Sequence, residues 1–216
     1  MRAHTARVVA GALLSLCLVV VAAPAPAQNF QNGSAVTVPY GNIRLTASPV
    51  HMFGPDGLPD RTGAAFRLGY GITDSIDVEA KTAFFNGVSL VGADGHVNLL
   101  GGETLLSLTV GGHRAIGSGS GPDSTALDLA MQVGHRLSRR LEAYAGPAFS
   151  YESLQGVPDG GFTRFYLVPG LKLEIADRLA LVVEGGLGWN DSSPHYLTVG
   201  LAVRAPVSAA ARGRER

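Results

Sequence analysis

Residues 124–152, STALDLAMQVGHRLSRRLEAYAGPAFSYE, decide the fold. Apolar and polar side chains alternate along this stretch on both sides of the polar segment at residues 137–140. An alternation with a period of two places one set of side chains on each face of a β-strand. Two such strands joined by a short polar turn predict a β-hairpin. The rest of the chain repeats this unit, which indicates an all-β protein.

Short and long connections alternate between the predicted strands. The short turns ITDSI (72–76), LSRRL (137–141) and IADRL (175–179) share a pattern of apolar, small, charged, polar and apolar residues. Longer stretches rich in Gly, Pro, Asp and Ser lie between them, at residues 54–62, 86–95, 116–123, 153–161 and 190–194. About ten strands, or eight, with short turns on one side and long loops on the other predict a transmembrane antiparallel up-and-down β-barrel.

The composition fits one exported domain. The chain has 216 residues, of which 16% are charged, and its formal net charge is zero. A chain of this length can be a single all-β domain, and the charge balance argues against nucleic-acid binding. Cys17 is the one cysteine and lies in the first segment. We therefore expect no disulfide and no cysteine–metal chemistry in the mature chain.

The first 27 residues are predicted to be a secretory signal peptide. Arg2 and Arg7 precede an apolar run at residues 8–21, and Ala25-Pro26-Ala27 fits a small-residue cleavage site. The run is shorter than the roughly 20 residues of a spanning helix, and the sequence before Cys17 departs from a lipoprotein box. The predicted organisation is a signal peptide at 1–27, a lead-in at 28–42, a barrel at 43–204, and a basic, disordered tail at 205–216.

Alternation alone does not say which face of the strands points inward. A soluble, lipocalin-like barrel would bury the apolar face, whereas a membrane barrel would expose that face to lipid. Scarce charge, small residues on the polar face and the signal peptide favour the membrane arrangement. A girdle of aromatic residues at the strand ends beside the long loops also favours it: Phe53, Phe66, Phe84, Phe85, Phe149, Tyr151, Phe162, Phe165, Trp189 and Tyr196.

With these features, residues 43–204 resemble the family of small bacterial outer-membrane β-barrel proteins. The resemblance implies a location in the outer membrane, with outer-membrane lipid, lipopolysaccharide and the barrel-assembly machinery as partners. The chain departs from the family pattern in two ways. Pro49, Pro147 and Pro169 lie inside predicted strands, where each removes a ladder hydrogen bond. The last strand, residues 196–204, lacks the terminal aromatic residue of the family's assembly signal.

The polar face is predicted to fill the lumen with charged side chains. A barrel of about eight strands is filled by its own side chains, and aqueous channels appear near sixteen strands, so a lumen of about ten strands should be mostly plugged. The inward set is Arg44, Arg67, Lys81, Arg136, Arg164, Lys172, Arg204, Asp77, Glu79, Asp128, Glu142, Glu174 and Glu184. Counting outward from three short turns predicts one cross-strand charge pair in each hairpin: Arg67 with Glu79, Arg136 with Glu142, and Lys172 with Glu184.

No catalytic, cofactor or metal site is predicted. The family resemblance includes lipid A deacylases, palmitoyltransferases and omptin-like proteases, which need a histidine beside a serine or a carboxylate. The histidines His51, His96, His113, His135 and His195 show no such spacing, and we predict them to be solvated or interfacial. The aspartates assigned to loops do not have calcium-loop spacing and suit turns instead: Asp56, Asp60, Asp94, Asp123, Asp159 and Asp191.

The expected role is therefore structural or concerned with surface interaction. Three alternatives remain open from the sequence: a narrow channel, a barrel-embedded lipid-modifying enzyme, and a secreted soluble barrel that binds a small ligand.

Overall fold

A computed structural model describes residues 35–54, 60–117, 123–158 and 160–207. The predicted signal peptide, the first part of the lead-in and the tail beyond residue 207 lie outside the described residues, and so do Asp56 and Asp159. Within the described ranges, no helix is long and apolar enough to cross a membrane.

The described chain forms one closed antiparallel sheet of twelve strand segments. β1 pairs with β12, which closes the sheet between the two ends of the chain. The segments are β1 (Asn42–Met52), β2 (Arg61–Gly71), β3 (Ile76–Phe85), β4 (Val88–Leu100), β5 (Thr104–Gly117), β6 (Ser124–Arg136), β7 (Leu141–Ala145), β8 (Pro147–Leu154), β9 (Gly161–Leu167), β10 (Gly170–Ala176), β11 (Leu179–Gly188) and β12 (Tyr196–Pro206).

The twelve segments make a barrel wall of ten strands. β7 and β8 are separated by Gly146 alone, and both pair with β6 in one unbroken register. In the same way β9 and β10 both pair with β11, on either side of Val168 and Pro169. Each of these two segment pairs is thus one strand with a local break. The prediction of an all-β barrel of about ten strands is confirmed.

Prolines cause the breaks in these two strands. Pro147 and Pro169 have no N–H group to donate to the ladder. The breaks lie side by side, since Gly146 and Val168 exchange backbone hydrogen bonds of 3.3 and 2.8 Å. Pro49 interrupts the β1–β12 ladder, and there the Thr198 hydroxyl donates to the Pro49 carbonyl oxygen at 3.0 Å. The barrel therefore accommodates all three prolines without a change of register.

The long loop predicted at residues 86–95 is wrong. Phe85 pairs with Val88, so Asn86 and Gly87 form a two-residue hairpin turn, and Gly87 has a φ of 80°. Asn-Gly suits such a turn because both central residues take positive φ. β4 therefore runs from Val88 to Leu100 and is longer than the strand predicted at residues 96–100. This correction moves Asp94 from a loop into the barrel wall.

The apolar face of the strands points outward. On β6, the exposed fractions of Leu127, Leu129 and Val133 are 59, 45 and 48%, while that of Asp128 is 1%. A soluble barrel would show the opposite distribution, because it must bury its apolar side chains. The described barrel therefore has the membrane arrangement, and the lipocalin-like alternative is wrong.

The aromatic residues divide between the two faces. Phe53, Phe84, Tyr151, Phe165 and Trp189 are exposed at the long-loop end, as a membrane girdle requires. Phe85 and Tyr196 are buried inside the barrel instead, so their assignment to the girdle is wrong. Successive residues of a strand face opposite sides, and Phe84 and Phe85 could not both point outward.

Candidate functional site: the barrel lumen

A continuous chain of cations and carboxylates fills the middle of the lumen. We call it the charge ladder, and its members in spatial order are Arg44, Glu79, Arg67, Asp94, Lys81, Asp128, His113, Glu152 and Arg164. Four arginine or lysine side chains face four carboxylates, with the imidazole of His113 between two of the carboxylates. Apart from Arg44, no ladder side chain is more than 5% exposed.

Arg67 is the central cation of the ladder half nearest the short turns. Its Nε donates to Glu79 Oε2 at 2.6 Å, and its Nη2 donates to Asp94 Oδ2 at 2.5 Å. Arg44 pairs with the other oxygen of Glu79. The sheet register explains this convergence, because Arg67 lies opposite Lys81 and Glu79 lies opposite Asp94. The inward positions of three adjacent strands therefore bring opposite charges together on the diagonal.

Lys81 links this half to the half nearest the long loops. Its Nζ donates to Asp94 Oδ1 at 2.6 Å and to Asp128 Oδ2 at 2.7 Å. Asp128 Oδ2 also lies 2.7 Å from Nδ1 of His113. Burying a charge is costly unless it is paired and hydrogen bonded, and these carboxylates meet both conditions.

The ladder continues from His113 to the last cation. His113 Nε2 lies 4.0 Å from Glu152 Oε1, which is longer than a hydrogen bond. Glu152 also lies 3.2 Å from Arg164 and accepts a hydrogen bond from the Ser124 hydroxyl at 3.1 Å. The contacts of the ladder are therefore close from Arg44 to His113 and looser beyond it.

The three predicted charge pairs differ in their distance and register in the structure. Arg67 and Glu79 are 2.6 Å apart and diagonal to each other, because Gly69 is the residue opposite Glu79. Arg136 lies opposite Glu142, but Arg136 is exposed and forms no ion pair among the described residues. Glu142 instead accepts a hydrogen bond from the backbone N–H of Ala35 at 3.1 Å.

The predicted opposition of Lys172 and Glu184 is wrong. Val182 lies opposite Lys172 on one side and Glu142 lies opposite it on the other. The β10–β11 turn has only Asp177 and Arg178 between its paired ends, and the ladder is irregular between Glu174 and Ala176. The predicted turn centre at Arg178 therefore shifted the register. Lys172 lies 3.5 Å from Glu174 instead.

Glu184 is held by two tyrosines on the lumen side of the wall. The hydroxyls of Tyr144 and Tyr196 donate to its two oxygens at 3.1 and 2.9 Å. Glu184 is fully buried. The sequence placed Glu184 correctly on the polar face but associated it with a cation.

Residues 35–39, here called the N-terminal segment, lie across the short-turn end of the lumen. The Val38 N–H donates to Asp77 Oδ2 at 2.5 Å, and Arg44 donates to the Val36 carbonyl oxygen at 3.3 Å. Ala35 and Val38 are at most 1% exposed. Glycines in the wall leave the space for this segment: a Cβ at Gly134 would lie 2.8 Å from the Ala35 Cβ. The sequence predicted only a polar lead-in here.

An apolar cluster occupies the lumen at the long-loop end. Its larger members are Val50, Met52, Phe85, Leu90, Tyr166 and Val168, all at most 5% exposed. The described lumen therefore has three layers: the N-terminal segment, the charge ladder and this apolar cluster. Each layer is made from side chains or backbone of the chain itself.

Among the described residues, no histidine ring is hydrogen bonded to a serine hydroxyl. His113 is buried in the ladder, which contradicts its prediction as a solvated residue. The Ser150 hydroxyl donates to Asp128 at 2.7 Å and that of Ser124 donates to Glu152 at 3.1 Å, while the His113 ring is hydrogen bonded to Asp128. His96 is also buried, with Nδ1 3.7 Å from Asp77.

The remaining candidate residues lie apart from the ladder. His51 is 3.4 Å from Asp60, and His195 accepts a hydrogen bond from the Gly188 N–H at 3.0 Å. Asp123 pairs with Arg114 at 2.9 Å at the long-loop end. No group of three or more metal-ligating side chains occurs among the described residues.

Three ladder residues were not assigned to the inward charged set from the sequence. Asp94 had been assigned to a loop, and the Asn86–Gly87 turn signal would have placed it opposite Glu79. Glu152 shares the parity of Glu142 and Ser150 and could have been found from the alternation alone. His113 was placed on the polar face, but nothing in the sequence indicated its carboxylate partners.

The outward apolar face, the closed ten-strand wall and the charged interior define a transmembrane β-barrel of the outer-membrane class. The chain belongs to the family described as the outer membrane protein beta-barrel domain, which it matches over residues 13–204. It is therefore an outer-membrane β-barrel. No curated protein matches the sequence.

Solved structures of transmembrane β-barrels are similar to this chain at low sequence identity. An outer membrane channel from Pseudomonas putida F1 aligns with a TM-score of 0.52 at 10% identity, covering 82% of this chain and 100% of that chain. The outer membrane protein OprG from Pseudomonas aeruginosa aligns with a TM-score of 0.41 at 10% identity, covering 80% of this chain and 99% of that chain. A de novo designed transmembrane β-barrel aligns with a TM-score of 0.41 at 15% identity, covering 79% and 99%.

Proposed function

We propose that this chain is an integral outer-membrane barrel whose lumen is closed to solutes and whose role is structural or concerned with surface interaction. The charge ladder is the observation that carries the proposal. A solute crossing the lumen would have to separate Arg67 or Lys81 from carboxylates 2.5–2.7 Å away. Leaving one partner of a buried ion pair alone costs roughly 3–5 kcal/mol. Thermal motion of single side chains therefore does not open a wide path.

The two flanking layers support the same proposal. The N-terminal segment covers one end of the ladder, and the apolar cluster covers the other. Both layers hinder the passage of ions, the first by occupying space and the second because the hydroxyls of Tyr166 and Tyr196 are the polar side-chain groups it offers. A barrel of ten strands lies much nearer to the filled eight-stranded type than to the sixteen-stranded porin type.

Conductance in planar bilayers tests the proposal. The native chain should show little or no conductance, and large, stable, porin-like steps would contradict a closed lumen. The paired variant Lys81→Ser with Asp94→Ser removes one cation and one carboxylate and shortens both side chains. It should raise the conductance, while Arg114→Ser with Asp123→Ser, a matched charge pair at the rim, should not.

A narrow channel is the second candidate function. The similar structure from Pseudomonas putida F1 is described as a channel, although its 10% identity with this chain supports only the fold. The looser contact of 4.0 Å between His113 and Glu152 is the feature of the lumen that favours some passage. Small, ion-selective steps from the native chain in the same recordings would favour this candidate.

We also propose that the chain is not an enzyme. The hydroxyls of Ser124 and Ser150 donate to carboxylates and neither is hydrogen bonded to His113, so neither serine has the contact with a base that activates a nucleophile. Mass spectrometry of outer-membrane lipids, with and without the expressed chain, should show no new acylated or deacylated species. A new species would support the lipid-modifying alternative.

Membrane lipid, lipopolysaccharide and the barrel-assembly machinery are the proposed partners. The exposed apolar residues of the wall support the contact with lipid. The chain should resist alkaline extraction from membranes. Quantitative recovery in a soluble fraction would contradict this assignment.

A further inference from the structure

A cavity of about 690 Å³ opens at the short-turn end of the barrel. Its wall combines the N-terminal segment with the turn between β6 and β7 and with inward residues of β10 and β12. Pockets of roughly 300–1,000 Å³ accommodate small molecules. The cavity is distinct from the charge ladder, because no ladder residue lines it.

Positive charge exceeds negative charge around this cavity. Five cations line it, namely Arg136, Arg139, Arg140, Lys172 and Arg204, against the three carboxylates of Glu103, Glu142 and Glu174. Two of the carboxylates already have partners in the wall: Glu142 accepts the Ala35 N–H at 3.1 Å, and Glu174 lies 3.5 Å from Lys172. The balance that characterises the ladder is therefore absent here.

Arg139 and Arg140 carry the uncompensated charge. Among the described residues, neither side chain forms an ion pair or a side-chain hydrogen bond. Their backbone is nevertheless well defined, because the Ser138 hydroxyl oxygen accepts the N–H groups of Arg140 and Leu141 at 3.2 and 3.1 Å. Two guanidinium groups are thus carried on a fixed turn beside the cavity.

The other basic short turn differs in its charge balance. In the turn between β10 and β11, Arg178 follows Asp177, so one carboxylate accompanies one cation. That turn lines a different cavity. Arg178 therefore provides a matched control on the same end of the barrel.

We propose that the cavity at the short-turn end binds a phosphate group, with Arg139 and Arg140 as the contacting residues and Arg136 and Lys172 adding positive potential. Guanidinium forks match phosphate oxygens in a bidentate manner and keep their charge at every physiological pH. The phosphate can belong to a soluble phosphate ester or to a lipid headgroup of the neighbouring leaflet. Both sources present the same group to the same arginines.

Calorimetry with inorganic pyrophosphate tests the soluble source. The full chain, folded in uncharged detergent, is compared with Arg139→Gln/Arg140→Gln and with Arg178→Gln. Native and Arg178→Gln proteins should bind one pyrophosphate, and the double variant should bind about tenfold more weakly. The substituted residues are exposed turn residues, and unchanged heat-modifiable mobility on gels shows that each variant is folded.

Nanodiscs test the lipid source. In mixed phosphatidylcholine and phosphatidylglycerol, the native chain should retain phosphatidylglycerol after delipidation, and the double variant should lose it. Retention without pyrophosphate binding assigns the site to a headgroup, and pyrophosphate binding without retention assigns it to a soluble phosphate. If neither occurs, or if Arg178→Gln lowers binding as much as the double variant, the proposal is overturned.

Discussion

The charge ladder and the charged residues at the short-turn end are built from the same residue types in the same alternating pattern. In the ladder, Arg67 and Lys81 lie 2.5–2.7 Å from carboxylates and are at most 5% exposed. At the short-turn end, Arg136 is exposed, and Lys172 lies 3.5 Å from Glu174 with exposed fractions of 16 and 35%. The alternation decides which face a charge occupies. The position of the charged side chain along the barrel axis decides how closely it is paired.

The energetic consequence follows from that depth. A solvated ion pair contributes about 0–1 kcal/mol because water screens it. Breaking a buried pair costs about 3–5 kcal/mol because the remaining charge is neither paired nor solvated by water. Substitutions at equivalent positions of the two regions should therefore differ several-fold in their effect on the free energy of unfolding.

The largest effect is expected from Arg67→Met. This change leaves Glu79 and Asp94 without their shared cation and should lower the free energy of unfolding by about 3–5 kcal/mol. Urea unfolding in detergent or lipid measures the loss, and Trp189, the single tryptophan, serves as the fluorescent reporter. The control Arg136→Met should cost about 0–1 kcal/mol. Equal losses would show that the two regions do not differ in solvation.

A smaller effect is expected from Gly134→Val. A Cβ at Gly134 would lie 2.8 Å from the Ala35 Cβ and 3.3 Å from Glu142 Oε1, so valine crowds the N-terminal segment. Overpacking of this kind should cost about 1–3 kcal/mol. Amide exchange of Val38 should accelerate as the segment loosens. Gly95→Val is the control, because its Cβ would meet nothing closer than 3.8 Å, and an unchanged Val38 exchange rate in Gly134→Val would refute the crowding.

A double-mutant cycle measures the pair at the short-turn end directly. Arg136→Met and Glu142→Gln should show a coupling energy of only about 0–1 kcal/mol. The corresponding cycle on Arg67 and Glu79 should give a clearly larger coupling. A strong coupling between Arg136 and Glu142 would mean that the two side chains meet in a dry environment, contrary to the exposed position of Arg136.

The smallest effect concerns the rim. The hydrogen bond from Arg114 and the one from the Gly117 N–H lower the pKa of the Asp123 carboxyl. Because the pKa of Asp123 is lower in the folded state, this contact stabilises the rim at pH values above the ordinary aspartate pKa. The contribution is lost as the pH falls through the folded-state pKa. The Gly117 amide shift should follow this titration by NMR. Asp123→Asn should abolish the titration, and a midpoint at or above the ordinary aspartate value would contradict the contact.

Periodicity explains most of what the sequence predicted correctly. The inward positions of Asp77, Glu79 and Lys81 follow from alternation, because one face of every strand must meet lipid. Asp94 was missed because the Asn86–Gly87 turn signal was read as part of a loop. Lys172 was paired with the wrong residue because one residue of turn length shifts the whole register.

The N-terminal segment could not be predicted from pattern at all. Residues 35–39 are too few to show a strand pattern, and their positions depend on backbone N–H groups that donate to Asp77 and Glu142. Such contacts join residues far apart in the sequence and leave no local signal. Ladder contacts such as Arg44–Glu79 and Lys81–Asp128 were hidden for a related reason, since they join strands that are not consecutive in sequence.

The N-terminal segment also constrains the order in which the molecule can be completed. Its contacts with Asp74 and Asp77 span 37 and 39 residues, while the Ala35–Glu142 contact spans 107. Closing a shorter loop costs less entropy, so the segment can attach to the β2–β3 hairpin before β6 and β7 are in place. On this reasoning, the rest of the wall assembles around a segment that is already in place. Residues 35–39 would therefore be committed to the inside of the barrel early in folding.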